Sequence, residues 1–137
     1  MEKSELLSEL LETVANAENC FIKAEMKIND GDIAGSQNDT KKGQTLMKAL
    51  IGDTFGEMEE EFGINTSETN DYDYPNNMEL IKALNEICMH LGSFIGASED
   101  IVKNIALKNL FKAINTAKEI YSSLYENYFP KSLRSVL

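Results

Sequence analysis

The side chains with the widest chemical range in this 137-residue chain are one histidine, two cysteines and a dense set of carboxylates. His90 has Glu86 one helical turn before it, the spacing at which an imidazole and a carboxylate meet on a helix face. A carboxylate-bridged metal centre in a helical bundle draws on several glutamates and two Glu-x-x-His motifs. This chain has no Glu-x-x-His. Asp53, Glu57, Glu59, Glu60 and Glu61 form an acidic run in which Asp53, Glu57 and Glu60 or Glu61 share a face. Such a set suits a hard cation, but carboxylates along a solvated helix need none when water screens them. Asp30-Gly31-Asp32 falls short of a calcium loop, because Met26 and Gln37 would occupy its first and last ligand positions. Cys20 and Cys88 lie within helical patterns and read as buried, reduced thiols.

A single active histidine in a bundle also suits phosphotransfer, which expects a lysine and a glycine three and four positions on. Ser93 and Phe94 stand there instead, so His90 reads as a helix-boundary histidine paired with Glu86. The chain shows no phosphate loop, nucleotide-binding glycine motif or nucleophile–base set. The expectation is a protein that is not an enzyme, with no catalytic residue, metal or cofactor. Binding residues are then sought among side chains that no helical stripe claims. Tyr72 and Tyr74 sit in an acidic linker with no stripe to join, and tyrosine offers large contact area with a polar tip. With Glu59, Glu60 and Glu61 they are the candidate partner-binding residues.

The elements that position these residues are helical. Leu7, Leu10, Leu11, Val14, Ala17, Phe21, Ala24 and Ile28 recur at steps of three and four, which predicts a helix over about residues 3–29. Asn29-Asp30-Gly31-Asp32 stops it, with Gly31 suited to a left-handed helix end and Asp32 to a new cap. A second helix is predicted over 33–62, carried by Met47, Ile51, Phe55, Met58 and Phe62. Its first third, 34–45, is nearly free of apolar residues and is expected to be solvated and irregular, or else the helix begins only at Asp39 or Thr40. Residues 63–77 are rich in Asn, Asp, Ser and Thr and form an acidic linker. Asn76 with Glu79 resembles a capping box that opens a third helix carrying Met78, Ile81, Leu84, Cys88, Leu91 and Ile95. Ser98-Glu99-Asp100 opens a fourth, with Leu107, Leu110, Phe111, Ile114, Ala117, Tyr121, Leu124 and Tyr128 in one stripe and Pro130 at its end. No alternating strand pattern occurs. The prediction is one all-α domain over 1–137, an antiparallel four-helix bundle with an irregular start to its second helix.

The formal net charge of −10 is uneven. Residues 1–50 hold six Lys or Arg against nine Asp or Glu, 51–100 one against twelve, and 101–137 six against two. The segment charges are thus −3, −11 and +4. The acidic centre argues against nucleic-acid binding and favours solubility or a basic protein partner. No apolar run approaches a membrane span and the N-terminus lacks a secretory pattern, so a cytoplasmic location is expected.

Phe21-Ile22-Lys23-Ala24-Glu25-Met26-Lys27-Ile28 leading into Gly31-Asp32-Ile33 resembles the flagellin-specific export chaperones, small acidic helical bundles whose first long helix enters a Gly-Asp-Ile turn. The chain departs from that family in lacking its tyrosine-containing N-terminal arm. The resemblance implies a chaperone whose apolar grooves hold an unfolded, helix-forming segment of a secreted subunit. The competing reading is a small acidic inhibitor, a toxin-immunity or phage counter-defence protein, that uses its central carboxylates with Tyr72 and Tyr74 against a basic enzyme surface. A third reading is a structural subunit that homodimerises through leftover apolar stripe.

Overall fold

A computed structural model describes residues 3–63 and 76–126. Within them the chain is all-α and holds no strand. Helix α1 covers Lys3–Asn29 and α2 Ile33–Ala49; a π-helical turn, Leu50–Thr54, joins α2 without a break to α3, Phe55–Phe62. Helix α4 covers Asn77–Gly96 and α5 Asp100–Tyr121, which ends in a second π-helical turn, Ser122–Glu126.

The amphipathic stripe of α1 forms its core face: Leu10, Val14, Ala17, Phe21 and Ala24 are buried, and Leu6 opens the row in place of the expected Leu7, which like Leu11 is half-buried. Ile28, expected in that row, is exposed because α1 ends before a neighbour reaches it. Gly31 adopts φ +85°, which a residue without Cβ tolerates. Its N–H donates to the Ile28 carbonyl, and that of Asp32 to the Lys27 carbonyl. These two bonds satisfy the last carbonyls of α1 as a Schellman end does. One residue on, the Asp32 carboxylate accepts from Gly35 N–H at 2.9 Å and caps α2. The reversal is therefore complete within Asp30–Asp32.

That cap decides the start of α2. It begins at Ile33, not at Asp39 or Thr40, and its polar first half is packed on one face instead of solvated all round. The buried positions are Ser36, Asp39, Gly43 and Met47, at helical spacing but mostly without apolar side chains. Ser36 Oγ donates to the Ala24 carbonyl at 2.7 Å, and Lys27 Nζ meets Asp39 Oδ2 at 2.6 Å. Gly43 lies under the Phe21 ring so closely that a Cβ would sit 2.8 Å from its Cζ. Neighbouring α1 supplies the ring and the ammonium; α2 supplies the room and the counter-charge.

The π-helical turn adjusts the register after Met47. It keeps Leu50, Thr54, Phe55 and Met58 inside and leaves Ile51, expected in the core stripe, only half-buried. Helix α3 then ends at Gly63 with φ +65°. In α4, Asn76 caps as its spacing predicted, accepting from Glu79 N–H at 2.9 Å. Its core face is Leu80, Ala83, Leu84, Ile87 and Leu91, while Met78 and Ile95 from the expected stripe remain exposed. Helix α5 is not capped by Ser98. Glu99 occupies the cap position and makes no side-chain cap bond.

The helices meet along one core. Helix α2 runs back along α1, since Phe21 meets Gly43 and Lys27 meets Asp39. At the first residue of α4, Asn77 Nδ2 donates to Glu25 Oε1 of α1 at 2.9 Å, and Tyr125 Oη donates to Asn77 Oδ1. At the far end of α4 the Phe94 ring receives Phe62 edge-on at 5.6 Å and has Lys103 Nζ above it. Gly63 and Asn76 thus lie at opposite ends of the assembly. No helix of the described residues is long and apolar enough to cross a membrane.

Candidate interaction surfaces

The carboxylates singled out from the sequence separate in space. Glu59 reaches across to α5, with Oε1 3.5 Å from Lys118 Nζ. Glu60 and Glu61 are exposed, and with Glu57 and Leu6 they line a shallow depression of about 190 Å³. Among the described residues no three His, Cys, Asp or Glu side chains stand close enough to hold a metal. Tyr72 and Tyr74 lie outside the described residues, as does Tyr128. Asp32, the best placed carboxylate of the Asp-Gly-Asp turn, is committed to its cap. His90 and Glu86 are both half-buried, but no hydrogen bond joins them among the described residues, so the expected pairing is not formed.

The two thiols face different neighbours. Glu18 acts electrostatically on Cys88, and Glu25, seven residues on, bonds to Asn77; both mark the side of α1 that faces α4. Cys20 shares its seven-residue spacing with Lys27, which faces α2. Both cysteines are free. Burial, helped by the charge of Glu18, pushes the Cys88 thiol up to about 11 and holds it protonated at neutral pH, where a thiol is a poor nucleophile.

One end of the assembly is tied by aromatic and amide groups. Tyr121 is fully buried and Tyr125 stacks on Phe21 with 6.0 Å between ring centroids. Burial raises the Tyr125 phenol, partly opposed by its bond to Asn77. Tyr121 therefore completes the core, as its place in the stripe of the fourth helix predicts, and Tyr125 binds three helices together.

A surface that sequence reasoning missed runs along the α1–α4 side. Ile81, Cys88 and Ile95 recur every seven residues on α4, and Cys88 fixes that row as facing α1. Ile81 and Cys88 are half-buried against the core, as are Leu7 and Leu11 on α1. Farther along that row Ile95 is 51% exposed; Met78, 62% exposed, and Met89, exposed three turns on with its sulfur 3.6 Å from Asn85 Nδ2, stand on the adjoining outer face of α4. The signal in the sequence was a stripe on α4 wider than one core face uses. Met78 and Ile95 read as its ends because periodicity does not say where the neighbouring helix stops.

Comparison with known proteins finds no matching family model, no matching curated protein and no matching solved structure.

Proposed function

We propose that this protein is a non-enzymatic protein-binding module that holds a helix-forming segment of another protein, in the manner of an export chaperone. The observation that carries this reading is the apolar row Ile81, Cys88 and Ile95 on the α1 side of α4, half-buried at Ile81 and Cys88 near Leu7 and Leu11 of α1 and exposed at Ile95. Met78 and Met89 are exposed on the adjoining outer face of α4, and methionine side chains, being flexible and polarisable, adapt to varied apolar partners. An amphipathic helix laid along such a seam would bury its i, i+3, i+4 and i+7 side chains there. The supporting architecture is an antiparallel four-helix bundle, in which the α1–α2–α3 hairpin and the α4–α5 hairpin lie side by side. In that arrangement α2–α3 and α4 run in the same direction on a diagonal. The resemblance of Phe21–Ile33 to flagellin-specific export chaperones points the same way.

The inhibitor reading rests on a different surface, the exposed Glu57, Glu60 and Glu61 beside Leu6. One comparison separates the two. Affinity purification from the native host is run with the wild-type chain, with Met78→Glu/Ile95→Glu, and with Glu59→Gln/Glu60→Gln/Glu61→Gln. Expected is a partner retained by the wild type and the glutamine variant, lost by the seam variant, and still bound at about 0.5 M salt, where surface charges are screened within ~4 Å. A partner lost with salt and with the glutamine variant, but kept by the seam variant, would sink the chaperone reading in favour of the inhibitor.

A further inference from the structure

The first turns of α5 present an apolar ridge away from the core. Ala106, Leu110, Ile114, Ala117 and Tyr121 define the inner face of α5. At about 100° per residue, Ile101 and Ile105 stand on the opposite side, and they are 72% and 58% exposed. Lys108 and Lys112 continue the same outer line, the first exposed and the second half-exposed. Single exposed isoleucines are ordinary on a protein surface. Two of them one turn apart on the outermost line of a helix, with lysines next in the row, form a ridge that this chain's own core leaves unused.

A surface of opposite shape and charge lies on the outer side of the π turn and α3. Phe55 and Met58 are the buried side of this segment. Gly52 and Gly56 are exposed, each with open space where a side chain would stand. Asp53, Glu57 and Glu60 are exposed beside them. Two glycines one turn apart leave a trough in which another helix can approach the backbone closely, and here carboxylates border it.

From this match we infer that the chain associates with copies of itself head to tail. The Ile101–Ile105 ridge of one copy seats in the Gly52–Gly56 trough of the next, and Lys108 and Lys112 meet Asp53, Glu57 and Glu60. The occupant is a second copy because the two surfaces agree in three ways: one-turn spacing, ridge against trough, and cation against carboxylate. The ridge points away from its own bundle, so the contact forms only between molecules. It is heterologous, joining different patches on the two partners, and a contact of this kind extends with concentration unless its rotation closes a ring. The net charge of −10 opposes association at low salt, but charges farther apart than about 8 Å are largely screened at physiological ionic strength. This inference is independent of the seam proposed to bind a partner protein.

Sedimentation velocity on the full chain at physiological salt tests it. Expected is a weight-average mass that rises above 15.3 kDa as concentration increases. Ile105→Asp, Lys108→Glu/Lys112→Glu and Glu57→Lys/Glu60→Lys should each stay at monomer mass while keeping wild-type circular dichroism. An equimolar mixture of the two charge-reversed chains should regain association, an outcome that misfolding cannot produce. A wild-type chain at monomer mass at every concentration overturns the inference. So does a wild-type assembly that persists in Glu57→Lys/Glu60→Lys.

Discussion

Gly43 shows how much of the packing rests on one absent atom. Alanine would raise local helix propensity by about 1 kcal/mol, yet its Cβ would lie 2.8–3.0 Å from three atoms of the Phe21 ring. That ring is fully buried and stacked on Tyr125, so it has no free direction in which to yield. Overpacking of this kind costs about 1–3 kcal/mol, which exceeds the propensity gain. Gly43→Ala is therefore expected to lower the midpoint of urea unfolding, and a variant as stable as wild type would show that the Phe21 ring moves freely. In the sequence Gly43 is only a residue of low helix propensity within the polar stretch 34–45. Its role was not legible because it depends on Phe21, 22 positions away.

At the scale of the element, α2 illustrates a helix that buries polar groups instead of hiding them from a neighbour. The Lys27–Asp39 pair joins α2 to α1. The close contact with the Lys27 ammonium holds the Asp39 carboxyl below its usual value of 3.8, and the same contact raises the Lys27 ammonium above 10.5. For the depressed carboxyl, the stabilisation is complete above pH 3.8 and is lost as pH falls through the lower folded-state value. For the raised lysine it is complete below pH 10.5 and is lost above it. Asp39→Asn should flatten the acid limb of a stability–pH profile, measured by thermal unfolding at pH 2–5, relative to wild type. An unchanged acid limb would mean that the pair contributes nothing measurable. The Asp32 cap acts beside it: Asp32→Ala is expected to cost about 0.5–2 kcal/mol and to speed amide exchange at Gly35, whose N–H loses its acceptor.

On the scale of the whole molecule, the two hairpins are joined at one end by a three-residue chain of hydrogen bonds. Tyr125 donates to Asn77, and Asn77 donates to Glu25. Asn77→Ala would leave the half-buried Tyr125 hydroxyl and a Glu25 oxygen without these partners, a penalty of about 1–3 kcal/mol. The thermal midpoint should fall, and amide exchange should rise together at the end of α5 and the start of α4. Exchange that rises only in α4 would show that the amide chain does not couple the hairpins. The opposite end relies on aromatic contact between Phe62 and Phe94, so the variant separates the contributions of the two ends.

The sequence by itself determined the helical class, the Gly31 reversal, the Asn76 cap and most core positions of α1 and α5. Each depends on periodicity or on residues within a few positions of one another, and such local preferences survive without a partner. Tertiary structure alone decided the rest. It set the burial of Ser36, Asp39 and Gly43, and the exposure of Met78, Ile95, Ile101 and Ile105. It also divided Glu59, tied to α5, from Glu60 and Glu61, which face water. The physical reason is the same throughout. Whether a face is buried depends on where a neighbouring helix begins and ends and on what that neighbour offers it. An apolar stripe specifies a demand for burial but not the length over which another helix meets it.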